Sequence, residues 1–300
     1  MLITRQRYTA DNNTKPYASD GQDYDGEHGS VNKDSKVIDD FGDEWQRYGY
    51  VDFDRAALEN NFAQYFDIFP WHQISENSEG FDMGCGSGRW AQFVAPRVGR
   101  LNCIEPSQAI EVAKRNLAEH NNVSFYKETT EECSIEPASQ DFGYCLGVLH
   151  HIPNTEAALG DCEKLLKSGA PLLLYLYYNF ENRPLWFRAL WRISDVMRQV
   201  ICRLPASTKT IVCELIALTV YWPLARLALL ARKILNNANM PLVDYADKPY
   251  YQMRNDALDR FGTRIEQRFS KTEIKGMLTR CGFVEIRFSD QRPFLVLCCH

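Results

Sequence analysis

The chain has 300 residues, an apolar share of 45% and a formal net charge of −5. That size and apolar content exclude wholesale disorder and suit one large domain with an insertion, or two small ones. The acidic balance disfavours a nucleic-acid partner, and ten cysteines without paired Cys-x-x-Cys spacing disfavour zinc ribbons and favour reduced thiols in a cytoplasmic protein.

In chain order, residues 1–40 are polar, with few aliphatics and no apolar signal-like segment, and read as a flexible N-terminal arm. Residues 41–74 open on "FGDEWQRYGY". Leu58, Phe62, Tyr65, Phe66 and Phe69 then follow at helical spacing up to Pro70. This stretch is expected to form an amphipathic helix and a lid.

Residues 75–180 alternate between strand and helix patterns. A short strand ends at "DMGCGSG", and Trp90, Phe93 and Val94 mark the next helix. "LNCIEP" reads as a strand, Ile110, Ala113 and Leu117 as a helix, and "VSFY" and "DFGYCLGV" as strands. Ala158, Cys162 and Leu165 form a helical stripe before the long apolar strand "PLLLYLYY". Such alternation with short connections predicts a parallel sheet covered by helices on both faces.

The alternation stops at residues 181–265, read as a helical cap inserted after strand five. Within it, residues 183–233 hold nine Lys/Arg against two acids, a local +7, so the rest of the chain carries −12. Two or three helices are expected there, broken at Pro205 and near Pro223. The basic, apolar character suits either a cap buried on the domain or a second subunit, or peripheral contact with an anionic membrane. Residues 211–231 are apolar enough to consider as a span, but Glu214, Pro223 and Arg226 interrupt them.

Residues 266–300 return to the core pattern. Ser270 and Glu273 form a capping-box pair, Gly282 suits a helix end, and "FVEIRFSD" and "PFLVLCCH" read as antiparallel closing strands joined near Pro293. The Cys298-Cys299-His300 ending is read as a strand end and no metal is expected, because zinc ligands are usually spaced so that side chains converge.

The glycine run asks for a ligand. Gly84, Gly86 and Gly88 lie between a strand and a helix, where bare backbone can approach a bound group. A P-loop requires a Gly-Lys-Ser/Thr that is absent, and the dinucleotide pattern G-x-G-x-x-G/A meets Arg89 at its last position. Glu105 stands 21 residues after Gly84, close to the ~20 expected of an acid that takes ribose hydroxyls.

Asp82-Met83-Gly84-Cys85-Gly86-Ser87-Gly88 resembles motif I of the class I S-adenosylmethionine-dependent methyltransferases, D/E-x-G-x-G-x-G. "DFGYCLGVLHHIP", residues 141–153, is similar to the end of the fourth strand in the small-molecule, ubiquinone-biosynthesis-like branch. The resemblance covers about residues 75–180 and 270–300. It implies a Rossmann-like seven-stranded α/β sheet with helices on both faces and a helical insertion after strand five. It also implies that Asp82, Gly84, Cys85, Gly86, Gly88, Glu105, Pro106, Ser107, Gly147 and Val148 bind S-adenosylmethionine. Glu128-Thr129-Thr130 stands where the family has Gly-Asp-Ala, so Thr129 and Thr130 are the adenine-side candidates.

The reaction implied is in-line methyl transfer to a small-molecule or lipid-like acceptor. His151 is the candidate base or acceptor contact, the alternative being a helix-cap or core histidine hydrogen-bonded to backbone, and Tyr178 is a further candidate at a strand end. His150 is expected to point away, and Tyr175 to be core. Trp45, Tyr48, Asn179, Arg254 and Arg260 are the acceptor-side candidates, with Asp256 beside the arginines. The competing reading is a catalytically silent cofactor-binding fold that serves as a regulatory subunit. A monomer and a homodimer are both compatible with the sequence.

Overall fold

The computed structural model describes residues 32–47, 55–181, 183–235, 245, 250–290 and 294–300. Tyr48, Pro293 and the first 31 residues of the predicted arm lie outside the described residues. The described strands are β1 Glu79–Met83, β2 Arg100–Ile104, β3 Val123–Tyr126, β4 Phe142–Leu146, β5 Pro171–Tyr175, β6 Arg287–Phe288 and β7 Leu295–Cys299. They form one seven-stranded sheet in the order β3-β2-β1-β4-β5-β7-β6. β1 to β5 run parallel, and β7 enters antiparallel between β5 and β6.

The predicted α/β sheet is therefore present. Its centre is held by an exchange of rings for glycines. Gly80 sits opposite Phe142, and Phe81 opposite Gly143, across the β1–β4 register. A Cβ on Gly80 would fall 2.3 Å from the Phe142 ring, and one on Gly143 would fall 2.2 Å from the Phe81 ring. Each phenylalanine thus occupies the space its partner leaves. Because neighbouring strand residues face opposite sides, Phe81 anchors one core layer and Phe142 the other.

Helices α4 Ala109–Asn116, α5 Thr155–Leu165 and α10 Lys271–Arg280 cover the sheet. Asn154 caps α5 by accepting the Ala157 N–H at 3.0 Å. Ser270 and Glu273 close a full capping box on α10. The helix expected after the glycine run is shorter than its pattern. α3 spans only Ala91–Val94 before a 3₁₀ turn at Ala95–Arg97, because Pro96 has no N–H to continue the ladder. The aromatic helix, α2 Arg55–Tyr65, likewise stops short of Pro70.

The predicted arm is also shorter than residues 1–40. Helix α1 spans Ser35–Arg47, with the Asp34 carboxylate accepting the N–H groups of Lys36 and Val37. Val37 is buried, and Gly42 lets the helix lie against Ser107 and Gln108. Asn32 exchanges two 2.8 Å hydrogen bonds with Asn154 just before this helix.

The insertion is helical: α6 Leu185–Ile201, α7 Ala206–Ile216, α8 Trp222–Leu235 and α9 Tyr250–Gly262. Pro205 separates α6 from α7 as expected. Pro223 does not break the chain. A π turn at Ala217–Tyr221 widens the helix just before it, and α7 runs on into α8. The wider turn accommodates a residue that lacks an N–H and crowds the preceding turn. Cys213, Ala217, Tyr221 and Ala225 pack against Met253, Ala257 and Phe261 of α9, so the cap has a small core of its own.

The strand read over "PLLLYLYY" ends its ladder at Tyr175, opposite Leu295 of β7. Tyr177 to Asn179 then pair with Phe269 instead: the Phe269 N–H donates to the Tyr177 carbonyl at 2.8 Å. At the C-terminus, the Cys298 Sγ donates to the Leu172 carbonyl and His300 pairs with Glu163. The ending is the end of an inner strand, paired with β5 through Cys298 and Cys299.

Gly143→Ala should destabilise the fold by about 1–3 kcal/mol, the usual cost of forcing volume into a packed core. The denaturant midpoint would fall accordingly, and Phe81→Leu in the same chain should recover part of the loss.

Candidate active site

The carboxyl ends of β1, β2, β4 and β5 open into a cavity of about 1310 Å³. That exceeds the ~300–1,000 Å³ of an ordinary small-molecule site and leaves room for two ligands side by side. Its walls come from three parts of the chain: the sheet loops, helices α1 and α2, and the cap helices α6 and α9.

The glycine loop is the sheet's contribution. Gly84, Gly86 and Gly88 have φ of +76°, +54° and +78°, a conformation side chains resist. Glu105 clamps this loop. One carboxylate oxygen accepts the Gly86 N–H at 3.1 Å and the other accepts the Ser107 N–H at 3.0 Å. Burial raises the Glu105 pKa, against the hydrogen bonds from Ser107 and Gly86. A carboxylate oxygen takes more than one hydrogen bond, so Glu105, which faces the cavity with Pro106, keeps acceptor capacity for hydroxyls.

Gly84 carries no side chain because Val148 stands where its Cβ would be, 2.5 Å away. Gly147, with φ +87°, makes the turn that brings Val148 there. Gly88 is different: its missing Cβ leaves room for Leu117, and it does not line the cavity. It is a packing glycine, which corrects its assignment to cofactor contact. Ser107 is corrected likewise. It is buried, and its hydroxyl accepts the Ala109 N–H at the start of α4. Cys85 lines the cavity, but its thiol is pushed far up by Cys103 and by burial, so it is no nucleophile.

Asp82 lies beneath the loop, 2% exposed, beside Tyr144 in the strand register. Burial pushes its carboxyl up to about 8, with the Tyr144 hydroxyl pulling the other way. Its Oδ2 has no hydrogen-bond partner among the described residues. A buried carboxylate with an unused oxygen costs free energy unless a cation comes near. The side-chain-free loop and the cavity-facing Glu105 fit the amino-acid end and the ribose of S-adenosylmethionine, whereas Asp82 does not line the cavity and acts only from beneath the loop.

On the adenine side, Thr129 and Thr130 both line the cavity. The Thr129 hydroxyl donates to Glu132 at 2.9 Å, whereas the Thr130 hydroxyl has no partner among the described residues and is the one left for a ligand. Helix α1 covers this end with Val37, Ile38, Phe41 and Trp45. A Cβ on Gly86 would stand 3.3 Å from the Trp45 ring, so Trp45 serves the glycine loop rather than the acceptor side.

His151 projects into the other half of the cavity. Its Nδ1 lies 2.6 Å from the Ile265 carbonyl, which only accepts, so Nδ1 carries the hydrogen and Nε2 keeps the lone pair in the neutral ring. Nε2 stands 3.9 Å from Asp259, a cap residue the sequence reading missed. The other Asp259 oxygen accepts the Tyr177 hydroxyl at 2.7 Å. Burial raises the Asp259 pKa, and His151 and Tyr177 oppose it. His150 points away as expected, fully buried and stacked on Tyr177 at 3.7 Å.

Tyr178 lines the cavity beside Phe294 and Phe180. Tyr175, read as core, also lines it, edge-on to Tyr65. Two acceptor-side candidates do not reach it. Asn179 turns back, its side-chain oxygen accepting the Glu181 N–H, and Arg254 faces Glu214 of α7 in an ion pair. Arg260 does line the cavity, as does its helix neighbour Asp256. No sequence signal links Tyr177 to Asp259; both contacts arise only when the cap folds back.

Residues 81–174 match the model of the Methyltransferase domain family. Over 105 residues the chain is 32% identical to a ubiquinone biosynthesis O-methyltransferase from Nitrosomonas europaea, covering 34% of this chain and 43% of that protein. A protein of the same name from Saccharophagus degradans is 31% identical over 136 residues, 40% of this chain and 57% of the relative. The chain thus spans about half the length of the curated relatives it matches. A chain of the Haloferax volcanii complex of the Trm112 methyltransferase activator shares the fold, with TM-score 0.50 and 12% identity over 87% of this chain and 97% of that one.

The Asp82 carboxyl yields a pH test. Its ordinary pKa is 3.8 and its folded value about 8, so between them the folded chain holds a proton that the unfolded chain has lost. Ligand-free stability should therefore fall as pH rises through that window. Asp82→Asn should flatten the slope of the denaturation midpoint between pH 5 and 8; an unchanged slope would remove this account of Asp82.

Proposed function

We infer that this chain, whose residues 81–174 match the Methyltransferase domain model, transfers a methyl group from S-adenosylmethionine to a small-molecule or lipid-like acceptor. The observation that carries the reading is the glycine loop clamped by Glu105 above the unpartnered Asp82 oxygen. When bound, the cofactor supplies an activated methyl on a sulfonium. Glu105 would hold the ribose, Asp82 would favour the positive charge, and Thr130 would meet the adenine side.

The chain's own residues then do three things. They exclude water, through α1 on one side and α9 on the other. They hold the acceptor against Tyr178 and Tyr175 in line with the methyl. Finally, His151 Nε2 takes the acceptor's proton, with the Asp259 carboxylate stabilising the imidazolium that results. Tyr177 fixes that carboxylate from its far side.

The reading extends to where the acceptor is met. Helix α6 carries an exposed apolar stripe, with Trp186, Leu190, Ile193, Met197 and Val200 at spacings of three and four. Ile211, Leu215, Leu218 and Trp222 continue a second stripe along α7 and the π turn. Arg192 and Arg203 are exposed beside the first. Not all the basic charge is available: Arg198 and Lys209 are buried, bound to Asp195 and Asp40.

Ala206–Leu230 has the length and apolarity of a membrane span. One side of it packs on α9, however, and a helix apolar on the other side with arginines nearby suits the interface plane. The occupant proposed for these stripes is an anionic membrane surface, met from the cytoplasm, where ten cysteines outside any disulfide stay reduced.

Calorimetric titration with S-adenosylmethionine should give saturable binding, at least tenfold weaker in Glu105→Gln; a wild-type chain that binds none would end the methyl-transfer reading. The protein should co-sediment with phosphatidylglycerol vesicles, less so with phosphatidylcholine vesicles or in high salt. Leu190→Ser/Ile193→Ser should abolish the effect. Equal recovery on both vesicle types, or a stable dimer that hides these residues, would overturn the membrane assignment.

A further inference from the structure

The acceptor half of the cavity has a chemical character of its own. Helix α9 turns Gln252, Asn255, Asp256 and Asp259 into it, a spacing that sets all four on one helical face. Asn61 and Gln64 of α2 also line the cavity. Gln252 and Asn255 are 9% and 5% exposed, and the Asn255 Oδ1 has no hydrogen-bond partner among the described residues. Buried amides of this kind are costly beside a hydrocarbon or a flat aromatic acceptor, which leaves the Asn255 oxygen without a partner.

Two of the cations at this end are held by one buried acid. Arg260 and Arg268 both pair with Glu266, at 2.9 and 2.8 Å, and the Glu266 side chain is fully buried. An anionic acceptor would find these cations already engaged. Asp259 is occupied in the same way by the Tyr177 hydroxyl and by its approach to His151. What remains is a wall of hydrogen-bonding groups facing Tyr175 and Tyr178, which line the cavity near the end of β5 with aromatic rings, whereas the Tyr177 ring is already covered by His150 and Arg268.

The base adds a further constraint. A His151 proton acceptor backed by the half-buried Asp259 carboxylate is needed when the acceptor keeps its proton until transfer, as an aliphatic alcohol does.

We propose that the acceptor is an uncharged, polyhydroxylated molecule, a sugar ring, held by the polar face of α9 and stacked on the tyrosines, with one of its hydroxyl oxygens receiving the methyl. The proposal rests on the methyl-transfer reading and names its substrate class. In the step, the hydroxyl proton passes to His151 Nε2 as the oxygen lone pair forms the O–CH₃ bond. The S–CH₃ electron pair leaves with sulfur, giving a neutral thioether, and His151 later returns its proton to solvent. A lipid-like acceptor satisfies the same site when its head is a sugar.

The test uses the full chain with S-adenosylmethionine and three probes of matched tail: octyl glucoside below its micellar concentration, 4-octylcatechol and octylamine. Release of S-adenosylhomocysteine is read by mass spectrometry, with the cofactor affinity measured in parallel. Release with octyl glucoside, cut at least tenfold in Asn255→Leu while cofactor affinity is unchanged, is expected. An ether methyl on the recovered glucoside identifies the oxygen. Greater release with the catechol or the amine overturns the proposal, as does no release from a panel of octyl hexosides by a chain that binds cofactor normally. A chain that binds no cofactor fails earlier, at the methyl-transfer reading itself.

Discussion

One carboxylate organises the donor half of the site. Glu105 receives a backbone N–H from the glycine loop and another from the segment leading into α4, so it ties the end of β1 to the end of β2. Three residues in left-handed conformation do not hold themselves in place; the loop is kept there by Glu105, by Val148 standing in the space of an absent Cβ, and by the Trp45 ring above it. The carboxylate that would meet a ribose is thus also a structural strut. The donor pocket and the loop that forms it are built from one set of contacts.

The acceptor half is assembled on a different principle. None of its polar groups comes from the glycine loop. Asp259, Asp256 and Asn255 ride on α9, which the chain reaches only after the insertion, and Tyr177 stands just past the end of β5. The cap is more than a cover. Its inner side carries polar groups and its outer side apolar ones, while Arg198 and Lys209 bind it to the Thr263–Arg264 turn and to α1. An insertion organised in this way can present a surface and line a cavity at once.

The parts legible in the sequence were those set by local rules. Glycines that must adopt positive φ, an acid at a fixed distance along the chain, a capping box and strand–helix alternation each leave a signature within a few residues. The illegible parts depend on distance in the fold. Gly88 and Ser107 match the motif, yet packing against Leu117 and capping of α4 claim them. Arg254 and Arg260 look alike in a row of alternating charges, and only the direction of α9 sends one to Glu214 and the other to the cavity. Pro223 reads as a break because a π turn is invisible to a 3.6-residue period.

The Nδ1 of His151 donates to a carbonyl 114 positions away in the chain. That carbonyl belongs to Ile265, at the point where the insertion rejoins the core. The protonation pattern of a core residue is therefore dictated by backbone that no motif describes. Two contacts of the His151 ring, the Ile265 carbonyl at Nδ1 and the Asp259 carboxylate near Nε2, therefore come from the cap and its return to the core, whereas the glycine loop and Glu105 owe nothing to it.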